Sequence, residues 1–191
     1  MVMAKHTLIA LVEDKPGVLN RVASLFRRRG FNIESIAVGH TELASISRMT
    51  IVVDGTASSV EQVRKQLDKL IDVVKVTDIT EDSMVARELA LIKVTATPAT
   101  RSEIIQIVDI FRANIVDVSA DSVVVEVSGD EDKVESLLRL LKGFGIKEIA
   151  RTGRIAMTRG AAGPILVEEE RPRRERAHPK KKKGVSEISN L

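Results

Sequence analysis

The sequence predicts an α+β chain made of two βαββαβ units in tandem, and three observations predict it. Apolar residues alternate or recur at helical spacing in the order strand, helix, strand, strand, helix, strand. That order runs twice, beginning near His6 and near Glu88. A short polar break, Glu81-Asp82-Ser83, separates the two runs.

Residues 6–12 form an apolar-rich strand. A helix follows the stretch "EDKPG", with Val18, Leu19, Val22, Leu25 and Phe26 on one face. Arg27, Arg28 and Arg29 complement the negative end of its dipole, and Gly30 suits the left-handed position just past it. Residues 31–38 are a second strand. Residues 47–53 are a third, half buried, with Ser47, Met49, Ile51 and Val53 on one side. Asp54-Gly55 reads as a turn. Ser58 and Glu61 have capping-box spacing and open a helix that points Val60, Val63, Leu67 and Leu70 inward. Residues 73–79 close the first unit. In the second, residues 89–96 are a strand, and Thr100 with Glu103 marks another capping box. The helix it opens carries Ile104, Ile107, Val108 and Phe111. Residues 115–118 and 123–127 form a hairpin around "SADS". Asp130 caps a helix with Val134, Leu137, Leu138 and Leu141 inward, Gly143 follows its end, and residues 146–150 are the last strand. The two runs share a pattern rather than residues.

Right-handed crossovers make a ferredoxin-like sandwich the simplest topology for each unit: a four-stranded antiparallel sheet with both helices on one face. The helix-free face must meet another sheet or subunit, or stay wet, which favours an oligomer. The expected organisation is a first domain over residues 1–80, a linker over 81–87, a second domain over 88–160 and a charged tail over 161–191. The tail, with two prolines after Val167 and the run Lys180 to Lys183, buries too little apolar surface to offset the entropy of ordering, so disorder is expected.

Composition narrows the function classes. The core must be aliphatic, because the chain has four Phe, no Trp and no Tyr. No Cys means no disulfide and no thiolate metal site. No signal-peptide pattern and no apolar run of the roughly 18 residues a membrane helix needs is present, so a cytoplasmic protein is expected, with no membrane partner. The net charge of +3 comes from the tail: eight Lys or Arg and five Asp or Glu lie between Pro164 and Leu191, leaving 22 of each before it. RNA-recognition domains share this strand order but stack bases on aromatic side chains, and "MTIVVDG" and "VVVEVSG" have none, so no nucleic-acid partner is expected. The Lys run is read as solubilising.

No catalytic constellation is visible. His6, His40 and His178 lack ligand-spaced neighbours, and there is no GxSxG, GxGxxG or P-loop. No catalytic or metal-binding residue is nominated.

The stretch "EDKPGVLN" remains. Asp14 is a good helix N-cap, and Pro16 is tolerated in a first helical turn. Gly17 fits that reading poorly, because glycine costs about 1 kcal/mol against alanine inside a helix. A residue without a side chain lets a ligand approach, and a helix N-terminus suits a carboxylate. Asp14 could take an ammonium group. On the residues alone, a helix start and an amino-acid clamp both stand.

"LVEDKPGVLNRVASLFRRRGFNIESIAVG" followed by "SRMTIVV" resembles the small regulatory subunits of acetolactate synthase, also called acetohydroxyacid synthase. The first unit resembles an ACT domain, and "RGFNIESI" and "SRMTI" are specific to this family among ACT proteins. "ALIKV", "FRANIVDVSADSVVVEVSG" and "IKEIARTGRIAMTRG" resemble the family's second domain, so the likeness covers about residues 4–160. The resemblance implies a subunit with no active site and no cofactor of its own. It implies that the chain binds and activates a large catalytic subunit carrying thiamine diphosphate, Mg and FAD, and confers feedback inhibition by valine or another branched-chain amino acid. That partner condenses pyruvate with pyruvate or 2-oxobutyrate, toward valine, leucine and isoleucine. The resemblance also implies an ACT homodimer with the effector at its interface, which nominates Asp14, Gly17, Val18, Leu19, Asn32 and Ile33. Asn20 matches a further position tied to inhibitor response. Some members carry Asn at the position of Asp14. The alternative reading is a freestanding ACT sensor acting on another enzyme or on transcription.

Overall fold

The computed structural model describes residues 4–160. The first unit is β1 (Ala4–Glu13), α1 (Val18–Arg28), β2 (Ile33–His40), β3 (Ile46–Gly55), α2 (Ala57–Leu67) and β4 (Val73–Asp78). The second is β5 (Met84–Thr95), α3 (Arg101–Ile110), β6 (Asn114–Val118), β7 (Ser122–Gly129), α4 (Glu131–Leu141) and β8 (Ile146–Arg151), followed by β9 (Ile155–Thr158). The antiparallel sheets have the orders β2-β3-β1-β4 and β6-β7-β5-β8, which is the expected ferredoxin-like topology twice over. The charged tail lies outside the described residues.

Each unit has its own aliphatic core between sheet and helices. In the first, Leu8, Ala10, Val12, Met49, Ile51 and Val53 meet α1 and α2, while Ile92, Val94, Val125 and Val127 do the same beneath α3 and α4. The end of α1 follows its sequence signals. Gly30 sits at φ 70°, its N–H bonds Arg27 O at 3.2 Å, and Phe31 N–H bonds Phe26 O at 3.1 Å. That pair of bonds closes a Schellman motif.

Other local signals resolve differently. Leu19, expected on the core face of α1, is 48% exposed. Asp54 and Gly55 form no turn: β3 runs on through both, pairing them with Lys5 and Ala4. The extended residue before α2 is therefore Thr56, which caps it in a box with Ser59, while Glu61 forks onto Arg64 at 2.7 and 2.8 Å. Thr100 precedes α3, but its hydroxyl engages Thr97 and forms no cap with the helix. The chain after α4 tightens into a 3-10 turn, so the residue with positive φ is Gly145, at φ 91°, rather than Gly143.

The largest departure lies where a linker was expected. Residues 84–87 are strand, and the unforeseen β9 pairs with them. This two-stranded ribbon meets the helix-free face of the first sheet. Ile9 and Ile79 bury there against Ala156, Met84 and Ala86, and Arg48 Nη2 donates to Ala156 O at 2.7 Å. Consequently β3 is buried on both faces rather than half buried, with Thr50 at 2% and Val52 at 1% exposure. That face meets strands as expected, but they belong to the same chain, so it gives no argument for an oligomer.

Candidate functional site: the β1–α1 turn

The chain leaves β1 at Glu13 and enters α1 at Val18 through four exposed residues, Asp14, Lys15, Pro16 and Gly17. Two backbone bonds anchor the entry: Asp14 N–H to Ser45 O at 2.7 Å and Glu13 N–H to Asp72 O at 2.8 Å. Gly17 is the N-cap residue, at φ 87° and ψ −8°, and no side chain caps the helix. This corrects the sequence reading of Asp14 as the cap. Proline restrains the turn and a left-handed residue is needed to enter the helix, a conformation costing other residues about 1–2 kcal/mol. The awkward glycine is thus a conformational requirement, and it leaves the start of α1 without a side-chain lid, while the Val18 N–H turns back onto Lys15 O at 3.4 Å.

The Asp14 carboxylate points toward the end of β2. Its Oδ2 lies 3.2 Å from His40 Nδ1, and His40 is 84% exposed in its side chain. Val18 is buried at 3% and helps anchor α1, whereas Leu19 and Asn20 face solvent. Two neighbours were not visible in the sequence reading. Arg21 lies one helical turn past Gly17, and its Nη1 would stand 3.9 Å from a Cβ placed on Gly17. Its Nε lies 2.5 Å from Asp72 Oδ2, an ion pair whose alignment falls short of a hydrogen bond. Asp72, 7% exposed, sits just before β4. The i, i+4 spacing of Gly17 and Arg21 was a usable signal. Asp72 gave none, since its partner is 51 positions away in sequence (72 − 21).

Asn32 and Ile33 are not brought to this turn within one chain. Ile33 pairs with Val53, which pairs with His6, at the start of β1. His40 pairs with Ser47, which pairs with Val12, at its end. The six residue steps from His6 to Val12 span about 20 Å. The seven nominated residues therefore form two half-sites at opposite ends of the sheet. β2 is an edge strand, so both halves border a free edge.

Among the described residues no group of three or more His, Asp or Glu could hold a metal, and no helix is long and apolar enough to cross a membrane.

Two family models match this chain. The one described as "AHAS small subunit-like ACT domain" covers residues 8–75, and "Small subunit of acetolactate synthase" covers residues 87–160. A probable acetolactate synthase small subunit from Archaeoglobus fulgidus is 62% identical over 156 residues, 82% of this chain and 98% of that one. The acetolactate synthase small subunit of Bacillus subtilis is 57% identical over 157 residues, 82% and 91% of the two chains. The crystal structure of the Thermotoga maritima small subunit superposes with a TM-score of 0.76 at 46% identity, over 82% of this chain and 98% of that one.

Proposed function

The chain belongs to the family of acetolactate synthase small subunits, and from that premise we propose that its β1–α1 turn senses a branched-chain amino acid on behalf of a catalytic large subunit. The observation that carries this reading is Gly17, left-handed and uncapped at the mouth of α1. The effector's carboxylate binds the N–H groups around residues 17–19, taking the Val18 N–H from its long bond to Lys15 O, with the Arg21 guanidinium close by. Its ammonium group meets Asp14, displacing His40, or meets Asn32. Its branched side chain rests on Ile33.

Completing that site takes two copies. An antiparallel pairing of two β2 edges centred between Ile36 and Ala37 sets Ile33 of one copy opposite His40 of the other, beside that copy's Asp14. Leu19 and Val38, each 48% exposed, would be covered by such a pairing. Effector binding then alters how the protomers pack, and so biases the large subunit between states. The small subunit itself activates and confers valine inhibition without an active site or cofactor. Thiamine diphosphate, Mg and FAD belong to the large subunit, and the assembly works in the cytoplasm.

Calorimetric titration of the full chain with valine, leucine and isoleucine, paired with capture of the large subunit, tests this reading. Saturable binding of one of them, and retention of the large subunit, is expected. No binding by any of the three overturns the sensing role.

A further inference from the structure

We propose that the C-terminal unit positions the second wall of the effector site, by holding a β-bulge from across the domain boundary; this rests on the effector reading above. The bulge is Glu34. Ile33 pairs with Val53 and Ser35 with Val52, so Glu34 is the extra residue on β2. A bulge re-aims the side chains beside it; here these are Ile33 and Ser35, with Asn32 leading into Ile33. An edge-strand bulge has no second neighbour in its own sheet to fix it.

The fixing contacts reach over from the other unit, at Glu34 through Lys5 of β1 and at Ser35 to Ala37 directly. Lys5 Nζ lies 2.5 Å from Glu34 Oε1 and 2.6 Å from Glu131 Oε1 at the start of α4. The other Glu131 oxygen accepts from the Arg154 guanidinium. Arg154 also gives its backbone N–H to Ser35 Oγ at 2.8 Å. Beside it, Gly153 lies so close to β2 that a Cβ would overlap the Ile36 carbonyl and crowd Ala37 N. Residues 34–37 are thus gripped in succession by Lys5 bridged to Glu131, by Arg154 and by Gly153. The charges confirm one another: Glu131 raises the Lys5 ammonium above its usual range, with Glu34 adding to it, and Lys5 lowers the Glu131 carboxyl. Partly exposed ion pairs add little net stability, so their contribution here is geometric.

The test uses the full chain with Glu131→Gln, which removes one charge of the grip, and Gly153→Ala, which blocks the close approach without changing charge. Asp132→Asn, next along α4 and outside these ion pairs, is the control. Hydrogen exchange is read at residues 33–37 and at residues 14–20, and valine affinity is read by calorimetry. Both grip variants are expected to speed exchange at 33–37, leave 14–20 unchanged and weaken valine binding about tenfold, with the control unaffected. Unchanged exchange at 33–37 overturns the grip. Faster exchange with unchanged valine affinity overturns its role in the effector wall. If the wild-type chain binds no branched-chain amino acid, the effector reading falls and takes that role with it, while the exchange result still decides whether the bulge is held.

Discussion

The two units share one topology and differ most at the turn between first strand and first helix. In the first unit that turn ends in a left-handed glycine, with no side chain capping α1. In the second the same position is Thr100, in right-handed conformation, and the turn is filled by its own groups. Thr97 N–H bonds Thr100 Oγ1 at 3.1 Å, and Arg101 N–H bonds Thr97 O at 2.9 Å. The Arg101 guanidinium folds back over the sheet end, donating to Ser119 O at 2.7 Å, Ala120 O at 2.8 Å and Ala96 O at 3.3 Å. The arginine near each helix start therefore has opposite employment. Arg101 is spent on backbone carbonyls, while Arg21 rests on Asp72 over an open turn. A duplicated fold has kept one mouth free and stitched the other shut.

The comparison breaks most sharply at Gly17. Gly17→Asp places a charge and a side chain where a carboxylate is to bind, in a conformation that L residues resist. Loss of valine inhibition with activation of the large subunit largely intact is expected in the reconstituted enzyme; an unchanged inhibition curve would falsify the clamp. Opening the stitched turn should cost stability rather than sensing. Arg101→Ala is expected to lower stability by about 1 kcal/mol in denaturant unfolding, chiefly by leaving the Ala96 carbonyl without its donor, and to leave valine affinity alone. Arg21→Ala should instead weaken valine binding about tenfold, and it should lower stability as well because it strands the buried Asp72 carboxylate. A smaller effect is expected from Asp14→Asn, which keeps the shape and removes the charge. It should weaken valine binding about threefold by calorimetry, because the ammonium group loses a charged partner but keeps an amide oxygen in the same place.

Acid supplies a further contrast. The Glu131 carboxyl titrates below its unfolded value of 4.5 because the Lys5 ammonium bonds it. A lowered carboxyl stabilises fully above the unfolded value and loses that contribution as pH falls through the folded one. Lys5, raised above 10.5, keeps its share until pH rises through that higher value. Protection at Ser35, corrected for the intrinsic exchange rate, should therefore be lost as pH falls through the lowered Glu131 range, before protection within either core is lost.

Much of the fold was legible because hydrophobic period and helix ends are local. Gly30 and Asp130 act where their neighbours place them: Gly30 closes α1, and Asp130 Oδ1 accepts Lys133 N–H at 2.9 Å. What failed depended on contacts distant in sequence. Nothing local in "IAMT" announces β9, whose burial comes from Ile9 and Ile79. Thr50 and Val52 lie on the face that has no helix, and both are buried all the same. Asp14 offered a good cap by type, but Pro16 and Gly17 move the helix start to Val18, out of its reach. The half-sites at Asp14 and Asn32 look contiguous in a motif, yet strand direction puts them at opposite sheet ends.

The central claim is that only the first unit's turn senses effector. Hydrogen exchange of the full chain with and without saturating valine tests it most directly. Protection at residues 14–20 and 32–33, with none at residues 97–101, is the predicted result. Protection at 97–101, or no change at 14–20, would contradict it.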